Sequence, residues 1–358
     1  MRHHVCALVL AMGCASEAVS VDEAEIGGNG GGVPCPDWGC GINSPMLDNS
    51  FFHELNLDGI RNLEGYSLVG ARKGLASYDL GVVNARLIAR LRPGSVGATV
   101  LVGDALEGLQ IALHRRDPAT GTERDWTMSV DAVSRVVEFR AVPPGGATPP
   151  PIETYRFFVA PVGSAYGAFL CQYGELLYDD TGPRKMAQHT AVVYEGERIN
   201  ARRKYISPTL NNRWFNIGCA ESAVAKLHLH GHTQAASAAG FSTTIAERQT
   251  MLKMLTGDYC GTGTPFTVAG QALDWEDDRH TMVLPLTIPK VTEARWTASG
   301  AACLETPRVL VNPTPETAAA FPDGVEAAIA AECPRPPRCP PIDTTYHLIS
   351  YNRSFWRI

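Results

Sequence analysis

His228-Leu229-His230-Gly231-His232 places three imidazoles within five residues. With Asp258 or Asp274 as a fourth ligand, such a set could hold zinc. On a helix, however, His228 and His230 point about 200° apart, and Gly231 interrupts the i, i+4 relation between His228 and His232. The spacing therefore favours packing or a solvent-facing helix end, with the metal set as the weaker candidate. His53-Glu54 begins an HExxH-like string, but Leu57 stands where the second histidine belongs. Gly65-Tyr66-Ser67-Leu68-Val69 lacks the last glycine of a nucleophile elbow. A thiol nucleophile at Cys171 or Cys219 competes with a disulfide at the same residue. Asp258 and Tyr259, an acid and a phenol beside Cys260, could bind a ligand. The structural alternative has Asp258 accepting backbone N–H groups in a turn and Tyr259 burying its ring while its hydroxyl finds a partner. No catalytic residue is assigned by these patterns, and no cofactor is implied.

The element that must position most of these residues runs from Trp214 to Gly261. Ala220, Ala223, Val224 and Leu227 form one apolar stripe at i, i+3, i+4, i+7, and Gly231 is a stop. Thr244 and Glu247 have capping-box spacing before apolar Ile245, Met251, Leu252 and Leu255, and Gly257 can close the helix in the left-handed conformation. Two amphipathic helices are expected, with Cys219 opening the first and Cys260 just past the second. Antiparallel packing would bring the two sulfurs to one end.

Gly257-Asp258-Tyr259-Cys260 is a one-residue variant of an Ala-Asp-Tyr-Cys signature, and the chain here resembles the ADYC-domain family of predicted bacterial surface proteins. The resemblance extends to Cys219-Ala220-Glu221-Ser222-Ala223-Val224-Ala225-Lys226, to Glu293-Ala294-Arg295-Trp296 and to Gly300-Ala301-Ala302-Cys303-Leu304, roughly residues 190 to 310. The family pattern has two further cysteines where this chain has Leu227 and Met251. The resemblance implies that a disulfide is replaced there by an apolar contact. It also implies aromatic residues around the positions of His230 and His232, which again argues for packing. It carries a compartment but no reaction.

The first residues read as an export signal: Arg2 and two histidines, an apolar run from Val5 to Met12, then Gly13-Cys14. Glycine before cysteine suits a lipoprotein signal peptidase, so Cys14 is the expected lipidation site, although Ala11 rather than Leu10 occupies the usual lipobox position. Ordinary cleavage near Ala15 or Ala18, giving a soluble secreted or periplasmic protein, is the alternative. The apolar run is shorter than the ~20 residues a spanning helix needs. Ala15 in place of aspartate points to the outer membrane. Residues 15–34 are acidic and glycine-rich with little to bury, and read as a flexible tether. The glycines of 27–32 have no flanking strand and helix to make a phosphate loop.

Of ten cysteines, Cys6 lies in the leader and Cys14 is the anchor. The other eight, Cys35, Cys40, Cys171, Cys219, Cys260, Cys303, Cys333 and Cys339, are an even set that suits disulfides in an exported chain. Sequence leaves about a hundred complete pairings open. Local pairing of Cys35 with Cys40 is expected, with two of Cys219, Cys260 and Cys303 paired and the third reaching Cys171.

Residues 35–79 are turn-rich, with apolar Leu47, Phe52 and Leu57 five apart, and read as a cap; a calcium loop at Asp48 or Asp58 lacks the EF-hand pattern. From 80 to 185 the alternation is β: Val83 to Leu91, Leu109 to Leu113, Trp126 to Val130 and Tyr155 to Val159, separated by turn-rich breaks. An antiparallel sandwich or barrel is expected there, followed by an ADYC-like domain at 186–310 with a central helical pair and a Pro-rich extension at 311–358. The fold class is α+β. The net charge of −6, with Arg202-Arg203-Lys204 the one basic cluster, argues against nucleic acid. The expected protein is an exported, lipid-anchored, non-catalytic envelope protein whose partner is the membrane and an envelope protein or glycan. The rival is an exported hydrolase using a metal or a thiol.

Overall fold

A computed structural model describes residues 45–48, 50–136, 151–164, 166–171, 189–200, 203–207, 213–219, 222–234, 243–267, 272–276, 290–311, 313 and 315–340, with the strands Asn29–Gly30 and Asn352–Arg357. The leader, Cys14, Cys35 and Cys40 lie outside the described residues, as does most of the expected tether.

Among the described residues eleven strands form one antiparallel sheet, ten of them along its main path. In chain order they are β1 (Glu54–Asn56), β2 (Tyr66–Lys73), β3 (Ala76–Val83), β4 (Arg86–Leu91), β5 (Val100–Val102), β6 (Gln110–Arg116), β7 (Glu123–Val136), β8 (Ile152–Pro161), β10 (Thr190–Glu195) and β13 (Trp214–Cys219). Between them fall β9 (Ala168–Phe169), which pairs with β8, and a hairpin of β11 (Arg198–Asn200) with β12 (Tyr205–Ser207). The spatial order is β1-β13-β10-β8-β7-β6-β2-β3-β4-β5. The sheet coils over on itself, so that β10 lies against β3 and β4, and β1 against β2. Inward-facing Ile111, Leu113, Trp126, Met128, Val130, Tyr155, Phe157 and Val159 fill the enclosed space, on the period of two that the sequence shows.

Two expectations about this region change. Residues 50–79 are not a separate cap: β1, β2 and β3 are members of the sheet, because Phe52, Leu55, Tyr66 and Tyr78 bury in the same core as the later strands. The run from Val83 to Leu91 is not one strand. A two-residue turn at Asn84 (φ 52°) and Ala85 (φ 56°) separates β3 from β4. The Glu195 carboxylate accepts both turn N–H groups, at 2.8 and 2.9 Å, which holds a conformation that alanine rarely adopts.

The sheet also continues past residue 186, through β10 and β13, before the helices begin. Ala191 and Val193 of β10 face the first core, whereas Val192 and Tyr194 face a second one. That second core holds α1 (Ala223–Leu229), α2 (Ile245–Thr256) and a smaller sheet. In the smaller sheet β14 (Ala272–Glu276), β15 (Lys290–Thr297), β16 (Gly300–Leu304) and β17 (Asn352–Arg357) run in the order β14-β17-β15-β16, with Asn29–Gly30 parallel to β14. Three short helices follow β16: α3 (Arg308–Val311), α4 (Pro315–Ala320) and α5 (Val325–Glu332). The architecture is α+β, and its helical pair is central.

Cys219 ends β13 rather than opening α1, whose N-cap is Ser222; its hydroxyl accepts the Ala225 N–H at 3.0 Å. The Thr244–Glu247 capping box is formed, and Gly257 closes α2 at φ 63°. Leu227 and Met251 both lie in the second core. Three disulfides link Cys171 to Cys219, Cys260 to Cys333, and Cys303 to Cys339. Cys219 therefore reaches Cys171, but Cys260 and Cys303 pair with neither it nor each other. Because Cys219 sits on the first sheet and Cys260 beyond the far end of α2, each sulfur meets a different neighbour. Cys333 and Cys339 bracket a proline-rich strap that crosses back over β16, where the Leu304 N–H donates to the Pro337 carbonyl at 2.9 Å.

Replacing Cys260 and Cys333 together by alanine should lower unfolding free energy by about 2–4 kcal/mol in urea denaturation, through release of a long loop. An unchanged midpoint would show that the strap contributes nothing to global stability.

Candidate functional site

Helix α2 is buried on nearly all sides rather than amphipathic, and its polar side chains are all engaged. Arg248 pairs with Glu197, both almost fully enclosed. Gln249 accepts the Ile206 N–H at 2.7 Å and donates to the Lys204 carbonyl at 2.7 Å, which pins the β11–β12 hairpin. Thr250 and Thr256 donate back to carbonyls one turn earlier. Lys253 donates to the Asp258 carboxylate, to the Arg203 carbonyl (3.2 Å) and to the Gly261 carbonyl (3.1 Å), which uses all three ammonium protons.

The signature residues follow at the C-terminal end of α2. Asp258 also accepts the Gly263 N–H at 2.9 Å, so its carboxylate shapes the turn after the helix. Burial pushes this carboxyl up, and the Lys253 charge draws it part of the way back. Tyr259 is buried between two rings: Trp296 at 5.2 Å and Phe266 at 5.7 Å, both near-parallel. Its hydroxyl donates to Glu293 at 2.6 Å and accepts the Arg308 N–H at 3.1 Å. The Arg308 guanidinium donates to the same Glu293 oxygen at 2.8 Å and to the Met254 carbonyl at 2.7 Å, closing the carbonyl end of α2 with a cation. Glu293, Trp296 and the Gly300–Leu304 strand thus meet the signature in one polar knot. Arg308 was not legible from spacing, because nothing in the sequence around it marks the arginine as a helix cap.

The three histidines of 228–232 are buried, not exposed on a helix end. His228 stacks on Tyr194 at 5.3 Å and its Nδ1 lies 3.1 Å from the Thr233 hydroxyl. His230 and His232 pack edgewise on Trp275, at 5.3 and 6.0 Å. Aromatic surfaces of β10 and β14 therefore claim the imidazoles separately. Among the described residues no three His, Cys, Asp or Glu side chains are grouped to hold a metal ion. Cys171 and Cys219, the thiol candidates, are disulfide-bonded to each other.

His53 has a different setting. It precedes β1 and is 5% exposed, with the Ile217 backbone as a polar neighbour of its ring. Its ring stacks on Phe51 at 5.3 Å. Beside it opens a cleft of about 230 Å³, lined in part by Phe51, His53, Glu54, Leu63, Ile199 and Arg203. Glu54 is 4% exposed and receives Arg198 at 2.7 Å. The sequence pointed to His53-Glu54 only as a broken metal motif; what it missed is the fold that turns both residues into one cleft.

Burial pulls the His53 imidazole down to about 4, partly offset by the Ile217 backbone. The unfolded chain then binds the proton first, so the stability from neutral His53 is full above about pH 6.5 and is lost as pH falls toward 4. Glu54, Glu197 and Asp258, raised by burial, act with the opposite sign, losing stability as pH rises above the ordinary carboxylate range. Comparing wild type with His53→Gln isolates the histidine: the difference in unfolding free energy should change by roughly 2 kcal/mol between about pH 7 and about pH 5. A pH-independent difference would contradict the neutral, buried imidazole. In the polar knot, Arg308→Met should cost about 3–5 kcal/mol, because Glu293 stays buried without its cation. The double variant Arg308→Met/Glu293→Leu should recover much of that loss; equal destabilisation by both would refute the pairing.

The profile of the ADYC domain matches residues 104–310, a longer span than the motifs alone suggested. No curated protein and no solved structure matches the chain. With more than half of its length matched, and with the signature residues gathered at the end of α2, the chain belongs to the ADYC-domain family.

Proposed function

We propose that this chain is an exported envelope protein, lipid-anchored through Cys14, that binds or scaffolds and performs no catalysis of its own. The observation that carries this reading is the cysteine chemistry. All six cysteines among the described residues are joined in disulfides, and two of these bridges close the C-terminal strap over the ADYC core. Disulfides of this kind persist in oxidising compartments outside the cytoplasm. The internal use of Asp258 Oδ2 and the Tyr259 hydroxyl supports the non-catalytic part, since these atoms serve Lys253, Glu293 and Arg308 rather than an open site. The expected partners are the membrane, through the lipid, and an envelope protein or glycan.

Alkylation of the mature protein with intact-mass readout, folded and then denatured, should find no free thiol among the six. A lipid mass on the Cys14 peptide should appear, and Cys14→Ser should move the protein from the membrane fraction to the soluble one. A cysteine that reacts in the folded protein would overturn the non-catalytic reading and favour a thiol hydrolase. An unmodified Cys14 would remove the anchor.

A further inference from the structure

We propose that the groove between β2 and β3 binds a small organic acid, with its carboxylate on Arg90 and an apolar body along the groove walls. The two strands pair only from Lys73–Ala76 to Ala71–Tyr78, and beyond Ala71 they part. The register of β2 against β6 also shifts there, between Leu68 and Gly70. The opening has a volume of about 440 Å³, within the ~300–1,000 Å³ of small-molecule sites. The proposal rests on the binding reading above and deepens it by naming a site and a ligand class.

Three arginines and two aspartates line this groove, and two of the arginines are already matched. Arg92 Nε donates to Asp79 Oδ1 at 2.6 Å, and Arg213 Nε donates to both Asp58 oxygens at 3.0 Å. Arg90, exposed on β4, has no ion pair among the described residues. Its Nη1 lies 3.4 Å from where a Cβ on Gly81 would stand, so the missing side chain gives the guanidinium room against β3. The lining thus carries one uncompensated positive charge. A planar guanidinium meets a carboxylate through two parallel N–H···O bonds, and the same charge disfavours a metal cation. An exposed ion pair adds little by itself, so burial of the ligand's apolar body must add to it. Leu57, Leu68 and Leu80 supply that wall. Gly70 lines the groove as well, and a Cβ there would meet nothing within 4 Å, which leaves space beside β2 for a ligand.

The test titrates the full mature chain with hexanoate, and with hexanamide and inorganic phosphate for comparison, by calorimetry and saturation-transfer NMR. Hexanoate should bind, and hexanamide, of the same shape without the charge, should bind roughly fivefold more weakly or worse. Arg90→Gln should weaken hexanoate by about the same factor and leave hexanamide unchanged. Gly70→Leu should weaken both, because its side chain takes up groove space. Both positions are free of close packing partners, so the thermal midpoints of the two variants should match wild type. Absence of hexanoate binding, equal binding of hexanamide, or binding that survives both substitutions would overturn the proposal. Phosphate binding as tightly as hexanoate would overturn it too, by showing a site for simple anions without an apolar subsite. A reactive thiol or an unmodified Cys14 would count against the envelope reading without altering these titrations, so the two failures are distinguishable.

Discussion

The strand Thr190–Glu195 must satisfy two hydrophobic cores at once, and the rest of the fold depends on that constraint. Its Ala191 and Val193 close the coiled sheet, and its Val192 and Tyr194 form the floor on which the helices pack. A strand covered on both faces reads as an unbroken apolar run rather than an alternating one. The neighbouring strand Trp214–Cys219 is buried at all six positions for the same reason. Glu195 at the end of this wall also secures the Asn84–Ala85 turn, so the hairpin of β3 and β4 is anchored to the layer between the cores.

Enclosing α2 in the second core creates the next demand. Its charged and amide side chains cannot reach bulk water, and each must find a partner inside. Glu197, Asp258 and the carbonyls of the β11–β12 hairpin answer Arg248, Lys253 and Gln249. Glu293 and Arg308 answer Tyr259 and the open carbonyls at the helix end. The family signature is therefore a structural junction between α2, β15 and α3. Buried ion pairs of this kind add little net stability over an apolar core, but they penalise any arrangement that leaves one partner alone. The disulfides act beside them, fixing the strap and the end of β13 to the elements already placed.

A second enclosed group lies away from that junction. His53 and its cleft are formed by β1, by the chain before it and by the β11–β12 hairpin, which Gln249 and Lys253 hold from below. The same buried helix thus supports both the signature and the wall of the cleft.

Local chemistry determined much of this from the sequence alone. The period-two runs at 109–113, 126–130 and 155–159, the Thr244–Glu247 capping box and the left-handed Gly257 depend on interactions within a few residues, and they form as read. The ADYC motifs named the family for a similar reason, since short residue strings survive without knowledge of the fold. Tertiary structure alone decided the rest. Which sulfurs pair depends on where β13, α2 and the strap end in space, and spacing along the chain does not encode that. Polar residues on α2 read as a solvent face until the surrounding sheets bury them. His228, His230 and His232 read as a cluster until Tyr194 and Trp275 separate them, and His53 reads as a failed motif until the hairpin closes beside it. In each case the deciding contact joins residues distant in sequence, whose energy exists only once both cores have formed.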